Sequence, residues 1–304
     1  MTTRSRLDPR IAPTLRSSTR EDIDARIARV LRDVGVSEAP CPLNEVHEAL
    51  RLNVAYYRSD DPSLLDETVH RLRLATKHVA HNPMRILTAI KRWDLSALWL
   101  PDKRQILVDA ALPPARYRWR EAHETGHSLL PWHDAFAFGD NSKTLSVACH
   151  AALEAEANYA AGSLLFLQER FIRDAFDQPV GMAAVRALKV KYANSLTTTL
   201  WRYVERAHRD RAMVAIVGAL PGTPITPDAP AIRHVVRSPR FAREFSEVTP
   251  EVLQAVVDGY VVARRGGSLG TSSASLASDA GVLQGFSWET FSNTHDALTL
   301  AYEA

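Results

Sequence analysis

Two imidazoles and a carboxylate stand together in His123-Glu124-Thr125-Gly126-His127, and they can act as one group only if this stretch is helical. It lies in Pro114-Ala-Arg-Tyr-Arg-Trp-Arg-Glu-Ala-His-Glu-Thr-Gly-His-Ser-Leu-Leu-Pro131, good helix formers between a proline that suits a helix start and one that suits a stop. Four residues apart on a helix, His123 and His127 share a face with Cβ atoms about 5–6 Å apart, so both rings reach one tetrahedral ion at roughly 2 Å. Glu124 is turned about 100° from His123, which removes it as a ligand but lets it reach a water on that ion. The spacing assigns ligands and base separately. Three fixed positions recur by chance, so the surrounding sequence must carry the rest.

A catalytic zinc takes three protein ligands and an open position, and His2Glu is one accepted set. Glu154-Ala-Glu-Ala-Asn158 opens a helical run to Leu167 that supplies the glutamate. Glu154 and Asn158 are i and i+4, so with Glu154 on the ion Asn158 is placed to hydrogen-bond a ligand imidazole. Glu156 points about 200° away, which favours Glu154 over it as the ligand. His150 lies on the Glu154 face as a ligand, a partner of a ligand or a proton carrier, although a polar residue at a helix start is the simpler expectation. Cys149 is expected to be a small buried hydrophobe.

These residues resemble the ImmA/IrrE-type metallopeptidases of bacteria. The resemblance runs through a strand, Gln105–Asp109, then Arg116, Trp119 and Ala122 to His127, then Glu154, Ala157, Asn158, Tyr159, Ala160, Ala161, Leu164 and Leu165. It implies zinc on His123, His127 and Glu154, with Glu124 as general base. The Glu-x-x-Ala-Asn run is also similar to the third-ligand helix of gluzincins. This chain has Trp119 where phenylalanine is usual and Arg120 where a small hydroxyl residue is usual, and it runs on through Leu164-Leu-Phe-Leu-Gln168 where proline is usual.

With 304 residues and 46% hydrophobic content, two domains are expected. A net charge of +2 gives no broad footprint for nucleic acid. Cys41 and Cys149 are the only cysteines, which excludes a disulfide scaffold and fits a reducing, cytoplasmic setting. No apolar run reaches the length of a membrane span. Residues 1–18 are expected to form a disordered basic lead-in without a secretory signal.

From residue 19 to 175 the expected unit is a zincin-like, largely helical metallopeptidase core. Ser18/Thr19 start a helix that stops at Gly35. A short helix follows near 42–52, then a strand at 53–58 and helices at 62–80 and from Asn82-Pro83 to Trp93. Strands 95–100 and 104–108 flank a short turn and form a hairpin within a small antiparallel sheet. An edge strand there is expected to hold an extended peptide substrate. Residues 176–208 carry helices at 181–192 and 195–208 with helix-turn-helix rhythm, which raises DNA binding, although the charge balance does not demand it.

Residues 209–304 suggest a small α/β regulatory or sensor domain: strands at 213–220, 232–236 and 297–302, and a helix at 249–264 capped by Thr249. Gly266-Gly-Ser-Leu-Gly270 matches a nucleophile-elbow pattern, but a helix precedes it and Thr271-Ser-Ser-Ala-Ser275 is expected as flexible loop, so a serine hydrolase is set aside. The overall class is α+β.

The expected chemistry is hydrolysis of a peptide bond by zinc-activated water, with Glu124 moving the proton and His133 or a tyrosine as a candidate for the oxyanion, His133 being more simply a loop residue. By resemblance the substrate is a partner protein, a helix-turn-helix repressor, cut at one site in a stress response. The alternative is a non-proteolytic zinc-containing regulator that binds a partner or DNA.

Overall fold

The computed structural model describes residues 10–11, 15–57, 97–100, 104–110, 114–133, 147–226, 230–264 and 266–304, with the backbone alone for Tyr57, Leu98 and residues 114–116 and 147–150. The helices expected at 62–80 and 82–93 lie outside these residues, as do the side chains of Arg116, Cys149 and His150. The fold is mixed α+β, and its contacts divide it into two compact units, Leu15–Gln168 and Met1–Thr14 with Glu169–Ala304.

The first unit opens with α1 (Ser17–Val34), whose Ile23, Ile27, Val30 and Leu31 recur at the helical period and are buried. Arg16 sits at its N-cap without a side-chain cap bond, two or three residues earlier than the hydroxyl caps expected. Gly35 ends it at φ 78°, a left-handed conformation that releases its N–H to the Arg32 carbonyl and that of Val36 to the Leu31 carbonyl. After α2 (Leu43–Ala49) come β1 (Asn53–Tyr57), β2 (Ala97–Leu100) and β3 (Gln105–Asp109), ordered β1-β3-β2.

The hairpin pairs β2 with β3 antiparallel, Trp99 opposite Ile106, whereas β1 runs parallel to β3 with Val54 opposite Ile106. The sheet is therefore mixed rather than antiparallel: a run of apolar residues marks a strand, but the direction of β1 is set by its pairing with β3, about fifty residues later. Two helices follow, α3 (Pro114–Leu129) and α4 (Val147–Leu165), the second starting seven residues before the expected Glu154.

The second unit holds α5 (Glu169–Phe176), α6 (Met182–Tyr192) and α7 (Leu196–Arg202), the last running into a π-helical turn over Tyr203–Ala207. Ser195 caps α7 by accepting the Thr198 N–H at 3.0 Å. Strands β4 (Met213–Gly218), β5 (Ile232–Arg237), β6 (Gly267–Ala277), β7 (Leu283–Ser292) and β8 (Ala297–Glu303) form an antiparallel sheet ordered β5-β4-β8-β7-β6. Helices α8 (Pro239–Glu244) and α9 (Pro250–Asp258) share a core with this sheet in which Phe241, Phe286, Leu253 and Trp288 are fully or almost fully buried.

Several expectations change here. Thr271–Ser275 is the middle of β6, not a flexible loop: serine and glycine give it a loop's composition, while an unbroken ladder from Thr271–Glu289 to Ala277–Leu283 makes it a strand. Ser268 of the nucleophile-elbow pattern thus enters a strand, without the helix that pattern needs. Helix α9 stops at Asp258 rather than Arg264, because Val262 donates its N–H to the Leu269 carbonyl at 2.9 Å. Within the expected disordered lead-in, Ile11 bridges Val235 and Arg10 pairs with Glu251. No described helix is long and apolar enough to cross a membrane.

Candidate metal centre

Helix α3 presents His123 and His127 one turn apart, with their Nε2 atoms 3.2 Å from each other. Glu154 of α4 comes to the same point, its Oε2 3.3 Å from His123 Nε2 and its Oε1 3.6 Å from His127 Nε2. Ligand atoms on a tetrahedral ion at about 2 Å are ~3.3 Å apart, so these separations suit one cation. The group could hold a metal ion, and among the described residues no other set of three His, Cys, Asp or Glu does so. Charge agrees with geometry. Burial alone would lower the His123 imidazole, but the Glu154 hydrogen bond and the Glu124 and Glu154 charges outweigh it and raise its pKa, so positive charge is favoured here.

The approach of α4 to α3 is set at Gly126. A Cβ there would lie 2.9 Å from the Ala157 carbonyl oxygen and 3.1 Å from Ala160 Cβ, so only glycine lets the helices come this close. Ala157, Ala160 and Ala161 are fully buried along the facing side. Thr125, also fully buried, donates its hydroxyl to the Glu121 carbonyl at 2.6 Å and meets His47 Nε2 at 2.9 Å.

Glu124 is 7% exposed, beside the ligand group but not part of it. Burial is the largest influence on its carboxyl and Glu154 adds to it; His123, Arg120 and the Trp99 backbone N–H oppose them, and the pKa is held up at about 7. Trp99 lies on β2, at the edge of the three-stranded sheet among the described residues, so a hydrogen bond ties the acid to that edge.

Around the ligands, Asn158 Oδ1 is 3.0 Å from His123 Nδ1, the contact its spacing from Glu154 anticipates. Glu156 is turned away from the ligand group, as its helical position requires, but not to solvent: Oε2 accepts from Trp132 Nε1 at 2.6 Å and lies 3.0 Å from His133 Nε2. His133, expected as a loop residue or an oxyanion partner, is 4% exposed and meets His127 Nδ1 through its own Nδ1 at 2.8 Å. Sequence reasoning missed this link, since neither a six-residue spacing from His127 nor a two-residue spacing from Glu154 follows a helical period; the one available signal was a second histidine and a tryptophan just past the Pro131 stop.

No family model and no curated protein matches this chain. Solved structures do. One, a Mycobacterium tuberculosis transcriptional regulator, aligns with a TM-score of 0.53 at 12% identity, covering 93% of this chain and 87% of that one. At that identity the likeness is one of fold alone.

Proposed function

We propose that this chain is a zinc-dependent endopeptidase of the ImmA/IrrE type with a zincin-like core. In this reading His123, His127 and Glu154 hold the ion and Glu124 is the general base. The observation that carries it is the convergence of two imidazole nitrogens and a carboxylate at tetrahedral spacing beside a second, buried carboxylate. A set of two nitrogens and one oxygen suits zinc and leaves a position open. When bound, the zinc supplies a Lewis acid that acidifies water and polarises a peptide carbonyl.

The chain's own groups supply the rest. Glu124 takes the proton on a carboxylate oxygen and returns it to the leaving amine, and a pKa held near neutrality suits a group that must do both. Strand β2 is where an extended peptide lies, because it ends the sheet among the described residues and adjoins Glu124 through Trp99. The substrate is a single site in a partner protein, a helix-turn-helix repressor in the cytoplasm, as the family resemblance implies. Direct duplex binding by α6 and α7 is the weaker reading, because a net charge of +2 supplies little attraction for phosphates, Lys191 of α6 is paired with Asp174, and Arg202 of α7 and Arg206 of the turn after it are buried.

A second reading rests on the fold likeness to a chain named a transcriptional regulator. There the metal would be structural or sensory and partner binding would be the activity. Incubating the zinc-loaded protein with the repressor encoded beside it, and following the products by mass spectrometry, separates the two. The peptidase makes one chelator-sensitive cut, and Glu124→Gln slows it by about 10²–10⁴-fold while zinc content is kept. Undiminished cutting by that variant removes Glu124 from the mechanism, and a stable complex with no cut supports the regulator.

A further inference from the structure

Both ligand imidazoles aim Nε2 at the shared point and turn Nδ1 away, but the two Nδ1 atoms are held differently. His123 Nδ1 meets a neutral amide oxygen, that of Asn158, directly. His127 Nδ1 meets a second imidazole, which in turn meets a carboxylate: His127 Nδ1 to His133 Nδ1 at 2.8 Å, His133 Nε2 to Glu156 Oε2 at 3.0 Å. The middle ring is enclosed, with a side chain 2% exposed, and the carboxylate is largely covered at 17%.

Proton counting fixes the direction of this chain. A carboxylate only accepts, so the hydrogen between His133 and Glu156 belongs to His133 Nε2. Taking the ring as neutral, as its enclosure favours, it has a lone pair at Nδ1, which obliges His127 to donate from its own Nδ1. That leaves the lone pair of His127 at Nε2, facing the ion. Run the other way, the chain puts a hydrogen on His127 Nε2, where a cation must bind.

We propose that Glu156, acting through His133, is a positioning residue for the metal centre: its carboxylate selects the His127 tautomer that can ligate and adds negative charge behind that ligand. The proposal rests on the metal reading above and adds how one ligand is kept competent. Such support is worth about 10–100-fold in metal affinity where a carboxylate backs a ligating histidine.

Zinc affinity of the full chain, measured by competition with a chromogenic chelator, tests it, alongside the visible absorption of the cobalt-loaded protein and circular dichroism for the fold. Glu156→Gln keeps the shape but gives the side chain an N–H₂ that can donate to His133 Nε2 and reverse the chain. We expect zinc to bind about 10–100-fold more weakly, with a shifted cobalt spectrum and an unchanged fold. His133→Phe should do the same, and if it fails to fold, Glu156→Gln alone decides. Trp132→Phe removes the other donor to the same oxygen and should leave zinc affinity unchanged. Parent-like affinity in Glu156→Gln while His123→Ala loses the metal overturns the relay and leaves the metal centre standing. An equal weakening by Trp132→Phe also overturns it, because packing would then explain the loss. Undiminished zinc binding by His123→Ala sinks the metal reading itself, and the relay with it.

Discussion

Glu124 in the first unit and Asp174 in the second are alike in exposure, 7% and 8%, but the Glu124 carboxyl has far more protein packed around it, and their acidities move in opposite directions. Burial raises both. At Asp174 it is outweighed by hydrogen bonds from Lys191 Nζ at 2.7 Å, Tyr192 at 2.7 Å and Arg170 Nε at 3.2 Å, which hold the carboxyl below its usual range. At Glu124 burial prevails and the group stays near neutrality in acidity. A similar contrast separates the metal centre from polar clusters of the second unit. In the second, polar groups close on one another: Tyr260 to Thr290 to Thr299, and Glu289 accepting from Tyr302 and the Met182 N–H. In the first, two nitrogens and a carboxylate face a common point and are backed from behind. Closed networks stabilise a fold, whereas a convergent set of lone pairs becomes favourable when a cation joins it.

The largest effect that sharpens this contrast is Asp174→Ala. Removing the acceptor strands Tyr192, which is fully buried, while Lys191 is partly exposed and recovers water. The expected loss is about 3 kcal/mol of stability in chemical denaturation, at the low end for a broken buried pair because of that exposure. Zinc affinity should stay at the parent level, since every metal-facing residue belongs to the other unit. A fall in zinc affinity in the folded variant breaks the contrast.

Gly126→Ala comes next. The added methyl meets a backbone oxygen of α4 at 2.9 Å, and a backbone oxygen cannot swing aside as a flexible side chain can. Helix α4 must shift, and it carries Glu154, Glu156 and Asn158 together. We expect about 2 kcal/mol less stability and weaker zinc binding in the same variant. Parent-like zinc affinity would show that the distance between α3 and α4 does not set the ligand geometry.

What could be read along the chain was whatever depends on short spacings. Pro114 and Pro131 bracket α3, the i,i+4 rule puts His123 and His127 on one face, and the same rule takes Asn158 from Glu154 to the His123 ring. The β2–β3 hairpin follows from two apolar runs around a short turn. What escaped depends on partners distant in sequence. The parallel direction of β1 is fixed by residues about fifty positions later, and β6 is a strand only because β7 lies beside it. The end of α9 is decided by Leu269, and the helical pattern of Tyr260-Val-Val262 carries no sign of it. His133 and Glu156 meet because α3 and α4 pack on each other, a pairing that no periodicity along the sequence announces.

The smallest effect concerns acid. His47 is 5% exposed and meets Thr125, the residue between Glu124 and Gly126, and burial pulls its pKa down from 6.5 to about 4. Above 6.5 the ring is neutral in both the folded and the unfolded chain, and the group adds no slope. Between 6.5 and about 4 the unfolded chain takes a proton that the folded chain refuses, so stability falls as pH drops through that window. By about pH 5 the loss is about 1–2 kcal/mol. Burial also lowers His208 and His234 in the second unit, with Arg211 and Arg233 adding to it, so both units lose stability in the same direction. Denaturation of the parent and of His47→Gln at neutral pH and near pH 5 separates the contributions: the variant should keep the part of its stability that the parent loses through this ring. An equal loss in both would place the acid sensitivity of the first unit elsewhere, with His133 the next buried imidazole to replace.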